Sequence, residues 1–209
     1  MRVFALLLTF STVACGDLRE ARRDENATPK PGTWGHLRQG QSDWLAALPN
    51  DARVNVCGDE AAVASSAIDA WRLAGDRRDL VVATACETPE FGKRIMVYDA
   101  SDEWVAQMCK TVGDVGGFAD VRAAAIFLCD LEIRRPVALH EIGHLWGMCD
   151  VYPLGDVDTP KADNCDPAWF TGRSRRSVMG ANFGESLTPA DIAGARALAR
   201  RADLRAARE

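Results

Sequence analysis

Residues 140–150 read HEIGHLWGMCD, which holds two of the chain's three histidines four residues apart and a glutamate beside the first. This pattern restricts the fold more than any other in the chain, because two imidazoles at that spacing meet one ion only on a helix. In an α-helix, positions four apart lie on one face about one turn apart, so His140 and His144 are expected to aim at a single ion. Glu141 points off that line yet stays close enough to reach a water held there. Val137, Leu139, Ile142 and Leu145 are the side chains expected to seat this helix on a sheet. Arg135-Pro136 is the expected start, since proline is tolerated in the first helical turn. Gly147 falls where the helix should end, and glycine can take the left-handed conformation that reverses a chain. Such a reversal would carry Asp150 back toward the histidines. A catalytic zinc takes three protein ligands and keeps a fourth position open. The expected ligands are therefore His140, His144 and Asp150, the expected cofactor is Zn2+, and Glu141 is the expected general base.

The flanking sequence supplies a scaffold for such a helix. ARVNVCG alternates apolar and polar residues as a strand does. DEAAVASSAIDAWRLAG follows at helical spacing, through Ala62, Ala67, Ile68, Trp71 and Leu73, with Gly75 as its stop. LVVATAC, KRIMVYDA and AAAIFLC are short β-rich runs, and SDEWVAQMC between the last two reads as a short helix begun by Ser101. The glycine-rich GDVGGF lacks the lysine and spacing of a phosphate loop and reads as a turn. After the histidines, LTPADIAGARALAR opens with Thr188 as N-cap, Pro189 in the first helical position and Asp191 completing a capping box. This order predicts an α/β (α+β) fold, a mixed sheet with a helix packed against it. With 209 residues there is room for one well-packed domain, placed at 49–209.

The first fifteen residues, MRVFALLLTFSTVAC, have the form of an export signal: Arg2, then an apolar run too short to cross a bilayer. TVAC resembles a bacterial lipobox, so a lipid anchor at Cys15 is favoured over simple secretion, at the outer membrane or cell surface. Removing Cys15 from the seven cysteines leaves six, enough for three disulfides in an oxidising compartment. The alternative is that several are small buried hydrophobes. Residues 16–48 are polar and broken by proline and glycine, and read as a flexible tether; His36 lies there, with no metal role expected. A net charge of −5 argues against nucleic acid as a partner. A monomer is expected, touching membrane only through its anchor. The acidic run DVYPLGDVDTPKADNCD lacks the ordered spacing of a calcium loop and reads as solvated.

HEIGHLWGMCD resembles the extended zinc motif of the metzincin peptidases, HExxHxxGxxH, with aspartate in the last place as in the snapalysin-like bacterial members. SVMG, with Met179, resembles the turn in which this clan places a methionine beneath the metal. The helix after it is similar to the one that ends matrixin- and astacin-like domains. The resemblance spans roughly residues 50–205. It implies a twisted mixed sheet with a backing helix, an active-site helix, and a small C-terminal subdomain made of the Met-turn and terminal helix. It also implies a zinc-dependent endopeptidase acting on protein or peptide substrates, with Glu141 taking a proton from a water activated by the metal. An edge strand near 116–123 would bind substrate as an added strand, and residues 180–187 would wall the pocket for the side chain after the cut. Phe183 stands near where some relatives carry a tyrosine, a role that would pass to Tyr152. Cys149 is expected in a disulfide with Cys165 rather than on the metal. Two other readings stay open: an aspzincin-type peptidase, which also uses an aspartate ligand, and a non-catalytic zinc-binding surface lipoprotein that serves as a binding module.

Overall fold

The computed structural model describes residues 45–112, 115–121, 123–148, 177–180 and 184–206, with side chains as far as residue 200. Its strands are β1 (Arg53–Gly58), β2 (Val81–Thr84), β3 (Gly92–Asp99), β4 (Gly117–Asp120) and β5 (Ala125–Leu128). They form one sheet in the order β2-β1-β3-β5-β4. The pairs β1–β2, β1–β3 and β3–β5 are parallel, and β4 runs antiparallel to β5 at one edge. The helices are α1 (Ala61–Ala74), α2 (Glu103–Val112), α3 (Arg134–Trp146) and α4 (Pro189–Ala206). The fold is thus mixed α/β, as the order of sequence patterns predicts.

Alternation along the strands divides the sheet into two faces. Val54, Val56, Ile95, Val97, Ala119, Ile126 and Leu128 share one face and are buried with α1, α3 and α4 in the main core. The other face carries a smaller cluster beneath α2, built on Val105, Cys109, Phe118, Ala125 and Phe127. Phe118 stacks on Phe127 at 4.4 Å and Tyr98 stacks on Phe127 at 5.2 Å. Two disulfides brace this second face: Cys57–Cys86 and Cys109–Cys129. The first draws the loop after β2 under β1, where Asn55 Nδ2 also donates to the Glu87 carbonyl at 2.9 Å. A third pairing through Cys149 and Cys165 lies outside the described residues.

Several local expectations shift. The face α1 buries is Ala61, Ala64, Ala67, Ile68, Trp71 and Ala74, while Leu73 is half exposed and Ala62 is exposed. The helical period starts one residue earlier than Ala62, which rotates Leu73 outward. Ser101 does not open α2. Its backbone N–H and its hydroxyl both donate to Asp99 Oδ1, closing a turn before the helix begins at Glu103. The GDVGGF turn is shorter than read, because Gly117 and Phe118 already belong to β4. The folded body also begins before residue 49. A 3-10 turn at Leu45–Ala47 buries Leu45 and Ala46 completely in the main core, so the end of the expected tether belongs to the domain.

Arg77 holds that entry segment in place. Its guanidinium, 4% exposed, donates to the carbonyls of Ala46, Leu48 and Pro49 and to the Asp79 carboxylate. A buried arginine is tolerated when its donors are all directed at acceptors in this way. The hydrogen bond from Arg77 holds the Asp79 carboxyl below its ordinary value of 3.8, against the opposing effect of burial. A carboxyl with a depressed folded-state pKa stabilises the fold above its unfolded pKa, and that contribution disappears as pH falls through the folded value. Asp79→Asn should therefore melt below wild type at neutral pH, with the difference closing as pH falls under 3.8. Melting curves across that range check this; a gap independent of pH would discard the linkage.

Candidate metal centre

Helix α3 has no solvent-facing stripe. Every residue from Val137 to Trp146 is buried, as expected for a helix enclosed on all sides. Val137, Leu139, Ile142 and Leu145 are all in the main core, as predicted. Two tryptophans fix the helix to its neighbours. From α1, Trp71 Nε1 donates to the Leu139 carbonyl at 2.8 Å, and from α3 itself Trp146 Nε1 donates to the Ala195 carbonyl on α4 at 3.4 Å. Gly143 lets the helix sit this close: a Cβ there would lie 2.4 Å from Met179 Sδ and 2.8 Å from the Trp71 ring. Gly117 does the same for β4, since a Cβ there would lie 2.4 Å from Val137 Cγ1 and 3.4 Å from Glu141 Oε1. Glu141 is therefore beside the sheet edge, fully buried.

The helix ends as Gly147 predicts. Its φ of 112° is left-handed, and its N–H donates back to Gly143 and His144 carbonyls. The chain reverses there, and the Met148 carbonyl comes to 3.1 Å from His144 Nδ1. The SVMG segment forms a second turn, closed by Gly180 N–H donating to the Ser177 carbonyl. The Val178 carbonyl of that turn lies 2.7 Å from His140 Nδ1.

These two carbonyls orient both rings. A carbonyl only accepts, so the facing Nδ1 carries a proton, and in the neutral ring Nε2 is left as the acceptor and metal-binding atom. The two Nε2 atoms are 3.2 Å apart, with the rings nearly perpendicular at 83°. The two Nε2 atoms thus converge at a distance that a single bound cation could bridge. Zinc–nitrogen bonds of about 2.0–2.1 Å meeting at a tetrahedral angle separate the nitrogens by about 3.3 Å. The separation found here matches, and the ligand atoms of His140, Glu141 and His144 all lie within 4.8 Å of one another. The group could therefore hold a metal ion.

No protein-family model, curated protein or solved structure matches this chain. The site must therefore be read from its own residues. Among those, the structure gathers His140, Glu141, His144, Gly147 and Met179 around one helix. Asp150, the expected third ligand, lies outside the described residues, as do Tyr152, Phe183, Cys149, Cys165, Cys15, His36 and the acidic run after Asp150.

Sequence reasoning missed four residues that build the site. Trp71 reads as one of the apolar positions of α1, Gly143 has no role of its own within HEIGHLWGMCD, and Gly117 reads as part of a turn. Ser177 stands in SVMG with no sequence signal of its own, yet its hydroxyl accepts from Met179 N–H at 3.0 Å and donates to Asp191. The capping box itself formed: Thr188 N–H donates to Asp191 Oδ2 at 2.8 Å, and Asp191 N–H donates to Thr188 Oγ1 at 3.3 Å. The sequence signal for Ser177 would have been its adjacency to a turn that must face a histidine.

Proposed function

We propose that this protein is a zinc-dependent endopeptidase, with His140, His144 and Asp150 as ligands and Glu141 as general base. The observation that carries the reading is the pair of Nε2 atoms converging at 3.2 Å beside Glu141, each ring oriented by a carbonyl on its other nitrogen. Bound zinc would supply Lewis acidity toward the scissile carbonyl and lower the pKa of water. Glu141, one residue from the first ligand and beside β4, takes the proton from the attacking water and passes it to the leaving amine.

The edge strand gives this chemistry a substrate-binding surface. Cys129 N–H donates to the Gly116 carbonyl, so in the antiparallel pairing with β5 the backbone groups of Gly117 and Ala119 point away from β5. An extended peptide adding to that edge would lie alongside Glu141. Residues 180–187 would contribute to the wall that selects the side chain after the cut. Two disulfides suit an exported protein in an oxidising compartment, in keeping with the signal-like start and the lipid anchor expected at Cys15. Among the described residues, no helix is long and apolar enough to cross a membrane.

Metal removal tests the reading directly. Purified protein should contain about one zinc per chain, cut casein or a peptide library, lose that activity on dialysis against a chelator, and recover it with zinc. A protein that takes up no zinc, or an activity indifferent to the chelator, would overturn the proposal.

A further inference from the structure

The contact that orients His140 does not stop at the Val178 carbonyl. The same peptide group continues on its other side, where Met179 N–H donates to Ser177 Oγ at 3.0 Å. Ser177 Oγ in turn donates to Asp191 Oδ1 at 2.5 Å. One uninterrupted series of hydrogen bonds therefore runs from the Asp191 carboxylate through a hydroxyl and a peptide group to the imidazole. Asp191 is 2% exposed. Its second oxygen is held by Val178 N–H at 3.2 Å, Thr188 N–H at 2.8 Å and Thr188 Oγ at 2.7 Å. The first turn of α4 thus fixes the far end of the series.

Each bond in such a series polarises the next. A peptide whose N–H is drawn toward a hydroxyl already donating to a carboxylate carries more negative charge on its carbonyl oxygen. That oxygen then accepts more strongly from His140 Nδ1–H, which raises the electron density at Nε2. Histidines that bind metals are commonly oriented and made more basic by a carboxylate or carbonyl on the far nitrogen. Here both are joined through one turn. We infer that Ser177 and Asp191 are positioning residues for His140: they relay carboxylate charge through the 178–179 peptide and so set the tautomer and donor strength of one ligand. The capping box alone requires none of this, since it is complete without Ser177.

The inference rests on the reading of His140 as a zinc ligand, and the test separates the two. Ser177→Ala removes the relay and leaves the capping box intact; Ser177→Thr restores the hydroxyl. Zinc affinity is read by competition with a chromophoric chelator, and the His140 Nδ1–H resonance by NMR of metal-free protein labelled at histidine. The expected result for Ser177→Ala is zinc binding weakened about 10-fold or more, with the His140 resonance moved upfield and that of His144 unmoved. Ser177→Thr should return both to wild type. Should Ser177→Ala fail to fold, Asp191→Asn must show the same upfield shift at His140, and its absence overturns the relay. Zinc held equally by wild type and Ser177→Ala, with an unmoved resonance, also overturns it. Wild-type protein that takes up no zinc would instead overturn the metal reading, while the resonance would still report on the relay.

Discussion

Glu141→Gln should lower kcat/KM for peptide hydrolysis by about 10²–10⁴-fold, the usual contribution of a positioned general base, while zinc uptake stays at the wild-type level. The substitution keeps the size of a side chain that is fully buried between α3 and β4, so packing against Gly117 is retained. What disappears is the ability to take a proton from water. Peptide-library cleavage followed by chromatography, with zinc measured in the same samples, checks both halves. Equal rates in wild type and variant would remove Glu141 from the chemistry and the peptidase reading with it. If zinc is bound and neither protein cuts anything, the chain is better described as a zinc-dependent binding module.

Gly143→Ala is the second large effect, and its sign depends on two opposed terms. Alanine favours a helix interior over glycine by about 1 kcal/mol. Against this, the added methyl would meet Met179 Sδ at 2.4 Å and the Trp71 ring at 2.8 Å. Methionine can move, but the indole is held by its hydrogen bond to Leu139. Overpacking of a close-packed core costs about 1–3 kcal/mol, so the net effect is destabilising. The Tm should fall by about 2–4 °C for each kcal/mol lost. Because Met179 follows the residue whose carbonyl orients His140, zinc affinity should fall as well. A variant as stable as wild type with unchanged zinc affinity would show that the methionine turn is not coupled to the helix.

The helix carrying both histidines was legible in the sequence because a fixed spacing defines it. On a helix His140 and His144 share one face when they stand about one turn apart, and Gly147 suits the left-handed turn that ends it. The capping box was legible for the same reason: Thr188 and Asp191 meet within one turn of chain. Features that depend on distant segments were not. Asp191 and Ser177 are fourteen residues apart, and only the folded turn brings them together. Gly117 reads as loop because nothing local reveals the helix whose approach requires it. Arg77 resembles any surface arginine until the chain before β1 folds over it and supplies three carbonyls. Leu45 lies in the short apolar run WLAAL at the end of an otherwise polar stretch, and nothing local shows that this run joins the core of a distant sheet.

The enclosure of α3 from Val137 to Trp146 carries a consequence for how this molecule can fluctuate. A segment buried from Val137 to Trp146 has no local fraying route, so its amides exchange with solvent only when the surrounding layers separate. His140, Glu141 and His144 thus sit in a segment expected to exchange slowly. Any ligand that His140 and His144 hold only in the native state therefore adds its binding free energy to the stability of the whole layered core.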